Sequence, residues 1–220
     1  MNTHNSFSIA LLIKYLSNFS HLLPLYFGMK SRRLLWWYTA TAFLFDISSL
    51  VLKQTGHALP GQGNIFLLAE FCFFTIYYKY LFKNKSVYYF FFIGMIVFFL
   101  IHTLLLRPID NTPYSILKLN LLGGCILYLS YIIYAMRGMY LLIKAPNEDM
   151  IERSPYFWTN VAIIIYASGV FFVFLFAHII ERQDFALISM LWNYLFCSCN
   201  ILKNIFLAKA FSIKDGTVKS

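Results

Sequence analysis

The sequence predicts an all-α, polytopic integral membrane protein of seven transmembrane helices, with its N-terminus outside and its C-terminus in the cytoplasm. Three observations carry that expectation: 60% hydrophobic against 12% charged residues, successive apolar stretches of membrane length, and Lys and Arg gathered in alternate loops. A soluble domain holds about a quarter charged residues, so a water-facing surface cannot be built from this composition. A helix crosses the roughly 30 Å hydrocarbon layer with about 20 apolar residues. Seven such spans with short loops use nearly the whole chain, making 1–220 one transmembrane domain.

The spans are expected at about 7–28, 34–53, 64–82, 87–106, 114–136, 156–180 and 185–207, each bounded by charge, Gly or Pro signals. The first contains Lys14, Asn18, Ser20 and His21, so one of its sides needs protein or water. Neither preceding Lys or Arg nor a small-x-small pattern at Pro24-Leu25-Tyr26-Phe27-Gly28 marks it as a cleaved signal. It is expected to stay as a permanent span held by Lys30, Arg32 and Arg33. The second carries Asp46, the third Glu70 and the fourth His102. The fifth holds Lys118, Asn120 and Gly123-Gly124, glycines that favour close packing or a kink. It runs on past Arg137 through Met139-Tyr140-Leu141-Leu142-Ile143 as an extended helix. The sixth ends near His178, and the seventh contains Asn193 and Lys203.

Orientation follows from the basic residues. With the N-terminus outside, only Lys14, Lys53, Arg107, Lys118 and Arg182 of the 18 Lys and Arg fall on the outer side, as the positive-inside rule requires. The net charge of +9 therefore reads as topology and lipid headgroup contact rather than nucleic-acid binding. Clusters such as Trp36-Trp37-Tyr38, Tyr77-Tyr78-Tyr80, Tyr88-Tyr89 and Tyr156-Phe157-Trp158 read as interfacial anchors. Cys72, Cys125, Cys197 and Cys199 all lie in apolar segments and read as packing residues.

Ionisable and amide groups are expensive in hydrocarbon, about 2.5–3.5 kcal/mol for a charge at mid-helix. Lys14, Asp46, Glu70, His102, Lys118, Asn120, His178 and Asn193 all fall in the outer half of their spans, where they outline a polar ligand pocket. The expected ligand-binding set is Asp46, Glu70, His102, Lys118, Asn120, His178 and Asn193. A smaller group of Asn18, Ser20, His21, Ser198 and Asn200 falls in the inner half. Short carboxylates deep in a span must pair, protonate or meet water, so Asp46 and Glu70 should face the bundle interior. Glu70 shares a helix face with Phe74 and Tyr77, and Glu70→Gln is expected to alter function more than folding.

Asp46, Glu70, His102 and His178 are chemically able to hold zinc, but no metal-ligand motif joins them. Neither a nucleophile elbow nor a phosphate-binding glycine loop is present, and no cofactor is called for. The leading expectation is a sensor or receptor-like module of the inner membrane that binds a small-molecule ligand and signals through a partner protein. The partner is needed because the longest inner loop, 145–155, carries only Glu148, Asp149 and Glu152. The alternatives are a transporter of a small polar or cationic solute and an intramembrane, metal-dependent hydrolase.

Overall fold

The computed structural model describes residues 3–29, 34–56, 62–82, 93, 95–97, 100, 121–144, 151–180 and 185–213. Among these the structure is entirely helical: α1 (Thr3–Ser20), α2 (Leu22–Gly28), α3 (Leu34–Gln54), α4 (Gln62–Leu81), α5 (Leu121–Lys144), a 3-10 turn at Ile151–Arg153, α6 (Pro155–Ile180), α7 (Phe185–Met190), a π-helical turn at Leu191–Phe196 and α8 (Cys197–Ser212). The break between α1 and α2 has a local cause. Pro24 has no N–H to return to the Ser20 carbonyl, so the i→i−4 bond is missing there; separately, the Ser20 hydroxyl donates to the Ser17 carbonyl at 2.6 Å.

The helices close a ring: α8 packs on α1, α1 on α3, α3 on α4, α4 on α5, α5 on α6 and α6 back on α8. Contact registers give the directions. Consecutive α3 and α4 run antiparallel, since Tyr38 meets Glu70 and Phe74 while Phe45 meets Phe66. In contrast, α4 and α5 run parallel, because Glu70, Phe74 and Tyr78 meet Tyr128, Tyr131 and Tyr134 in ascending order. α5 and α6 are antiparallel, as are α6 and α8, with Phe174 on Trp192 and Trp158 stacked on Phe206. Two close approaches depend on glycine. A Cβ on Gly124 would overlap the Phe174 ring, and one on Gly169 would overlap Cys199 Sγ.

The bundle is apolar on its outside. Ile133, Met136, Tyr140 and Ile143 line an exposed face of α5, and Phe172, Phe176 and Ile179 one of α6, whereas Glu70 and Lys203 are enclosed. That inversion of a soluble fold needs an apolar solvent. By length and composition three helices suffice to cross a membrane, at Leu34–Leu52, Leu121–Lys144 and Pro155–Ile179, against the seven expected. The expected seventh span is divided into α7, the π-helical turn and the 16-residue α8, and α1 and α4 carry polar residues turned inward, Ser17, Asn18 and Ser20 on α1 and Gln62, Asn64 and Glu70 on α4. Most of the expected fourth span and the start of the fifth lie outside the described residues.

Candidate functional site

At mid-bundle the ring encloses a hydrogen-bonded unit. Tyr38 donates to Glu70 Oε1 at 2.6 Å and Tyr128 to Oε2 at 2.7 Å, so each carboxylate oxygen holds one hydroxyl. Lys203 Nζ donates to the Tyr38 oxygen at 2.9 Å and stands 4.1 Å from the centre of the Tyr166 ring. A cation on α8 and a carboxylate on α4 are thus coupled through a tyrosine on α3, all at most 1% exposed. Charges this far from water persist only with such compensation. Beneath them Phe71, Phe74 and Tyr131 pack tightly, and Tyr78 donates to Asn160 at 2.9 Å.

A second polar seam joins α1 to α8. Asn200 donates to the Ser17 hydroxyl at 2.9 Å, and Asn204 donates to the Ser20 hydroxyl at 2.7 Å. Ser17 and Ser20 are three residues apart and Asn200 and Asn204 four, so each pair projects from one helix face. The pairing ascends on both sides, which makes α1 and α8 parallel. His21 follows on the same face, with its Nε2 3.2 Å from Asp46 Oδ2.

Between the relay and the seam lies a cavity of about 440 Å³, within the usual range for small-molecule sites. It occupies the end of the bundle formed by the C-terminal part of α3 and the N-terminal part of α4. Lys14, His21, Asp46, Asn193 and Asn200 line it, Lys203, Tyr128 and Tyr166 close its deep end, and Phe45, Phe66, Phe174, Trp192 and Phe196 form its walls. Trp192, Asn193 and Phe196 belong to the π-helical turn, a wider turn often found at functional sites. Among the described residues no three His, Cys, Asp or Glu side chains are grouped so as to hold a metal, and the four cysteines are free.

The expected site residues are distributed unevenly over this geometry. Asp46, 31% exposed, and Asn193 line the cavity, while Glu70 is sealed behind Tyr128 and does not reach it. His178 is exposed at the end of α6. His102, Lys118 and Asn120 lie outside the described residues. The separation of polar residues into outer and inner groups does not hold for His21 and Asn200, which share the cavity with Asp46 and Asn193. Tyr77, seven residues on, is half-buried against the core, while the fully buried stripe includes Leu67, Glu70, Phe71, Phe74 and Tyr78.

Sequence reasoning missed Lys203, Tyr38, Tyr128 and Tyr166. Tyr38 and Tyr78 were expected as interfacial anchors, yet both are buried and hydrogen-bonded, while Trp37 and Tyr80 do face outward. A usable signal existed: Tyr128 and Tyr166 lie well inside long apolar segments, where a hydroxyl must find a partner. The i, i+3, i+4 spacing of Asn200, Lys203 and Asn204 is a second one, a polar stripe that only another polar stripe can satisfy. No family model, curated protein or solved structure matches the chain, so its function is argued from the chemistry of this site.

Proposed function

We propose that the protein is a seven-span sensor of the inner membrane, N-terminus outside, that binds a small-molecule ligand in this cavity and signals through a partner protein. The cavity carries the reading: every helix of the ring contributes to it, and its lining includes Lys203, the cavity-facing member of the Lys203–Tyr38–Glu70 relay. A site so built turns occupancy into relative movement of helices. Helix directions support seven crossings, because parallel α4 and α5 require one reversed crossing between them, which 83–120 has the length and apolar character to supply. Parallel α1 and α8 likewise require an odd total. With the basic residues inside, the cavity mouth then lies on the outer side.

Transport is the second reading: a carrier would open the cavity to each side of the membrane in turn, whereas a receptor would keep it open to the outer side. Asn193→Cys tests both points. In intact cells a membrane-impermeant thiol reagent should label this variant above the wild-type background, and reporter fusions at 54–62 should behave as external. Labelling only after the membrane is opened would overturn the orientation. Access from both faces in separate experiments would replace reception with transport.

A further inference from the structure

We infer that the cavity's ligand is a small organic acid with a planar ring, its carboxylate held by Lys203 and its ring between the aromatic walls; this rests on the cavity being a ligand site. An ammonium has three N–H donors and no acceptor. Among the described residues, the Lys203 ammonium has one hydrogen-bond acceptor, the Tyr38 oxygen at 2.9 Å. The group is 1% exposed and borders the cavity, so a ligand held there meets its remaining donors.

Glu70 does not take that role. Its two oxygens accept Tyr38 and Tyr128, it makes no ion pair with Lys203 within 4.0 Å, and it does not line the cavity. The carboxylate that does line it, Asp46, is engaged by His21 at 3.2 Å, and Lys14 adds a second cation to the lining. Besides the Tyr38 oxygen the Lys203 ammonium has, among the described residues, only ring faces, Tyr166 at 4.1 Å and Tyr38 at 5.1 Å, and an incoming carboxylate would give it a charge-assisted acceptor.

The walls specify the rest of the molecule. Trp192 lies parallel to Phe196, with an interplanar angle of 13° and 4.9 Å between centroids, and Phe174 is 5.6 Å from Trp192. Across the cavity Phe45 and Phe66 pair at 4.7 Å. Each pair is closed on itself, so it is the free faces and edges turned to the cavity that would meet a flat apolar body. Polar groups such as Asn193 and Asn200 remain for its substituents.

Three probes with one ring test this directly: indole-3-acetate, indole-3-acetamide and tryptamine carry negative, zero and positive charge. Binding to the purified wild-type protein is read by calorimetry and thermal shift. The acid should bind at least about tenfold more tightly than the amide, the ratio expected of hydrogen bonds to a charged group. Lys203→Gln should abolish the preference and Lys203→Arg retain it. Equal affinities, a preference for tryptamine, or no binding by any probe while a small neutral thiol reagent enters at Asn193→Cys would overturn the acid and leave the cavity reading standing. Exclusion of that reagent as well would overturn both.

Discussion

The deep end of the cavity and its rim hold similar residues in different physical states. At the deep end Glu70 and Lys203 are at most 1% exposed and are bridged by the Tyr38 hydroxyl. At the rim Asp46 is 31% exposed and meets His21 at 3.2 Å. Charges enclosed to this degree depend on one another for compensation, so the deep unit bears on folding, whereas the Asp46 carboxylate at the rim is partly solvated. The lesson is that a charged residue in a membrane bundle is not thereby a ligand contact. Glu70, the most prominent carboxylate in the sequence, supports the lysine that faces the cavity.

The largest expected effect follows from breaking the deep unit. Glu70→Gln leaves Lys203 without its counter-charge and converts one acceptor into a donor facing a tyrosine hydroxyl. A directly paired buried charge left alone loses roughly 3–5 kcal/mol. With Tyr38 intervening, a loss of about 2–3 kcal/mol is expected in detergent unfolding. This revises the expectation that the substitution would spare folding, and full stability in the variant would restore it.

A probe of the wall between α6 and α8 comes next. Gly169→Ala places a methyl where Cys199 Sγ lies and should destabilise by about 1–2 kcal/mol, as overpacking does. Cys199→Ala in the same chain should recover part of that loss. Failure to recover any would mean that the two helices are not held by this contact. At the rim, Asp46→Asn keeps an acceptor for His21 in a half-exposed position. Its effect on thermal stability should stay under about 1 kcal/mol, and a larger loss would erase the contrast between rim and deep end.

Much of the architecture is legible in the sequence, and the reason is physical. Hydrophobic length and the scarcity of charge report the solvent directly, so α3, α5 and α6 announce themselves as membrane helices. Helices whose inward faces carry the chemistry are less apolar and weaker as spans, as α1 and α8 are. The inward direction of Asp46 and Glu70 follows from the cost of burying carboxylates, but their partners do not. Tyrosine is equally at home at an interface and in a core, and only tertiary contact separates Tyr38 from Trp37. Lys203 lies near a span end, where a long side chain would be expected to extend toward the headgroups; contact with Tyr38 and Tyr166 turns it inward. The cavity lining draws on His21 at the break between α1 and α2 and on Trp192, Asn193 and Phe196 of the π-helical turn, local deviations that no hydrophobic period encodes.

Glu70 and Lys203 form one electrostatic unit through Tyr38, and a double-mutant cycle measures the coupling directly. Unfolding free energies are compared for wild type, Glu70→Gln, Lys203→Met and the combined variant. If the unit exists, the double variant loses less than the two single losses together, by about 1–3 kcal/mol, because removing both charges strands neither. Single effects that add within about 0.5 kcal/mol would show that the two residues act independently and would contradict the relay beneath the cavity.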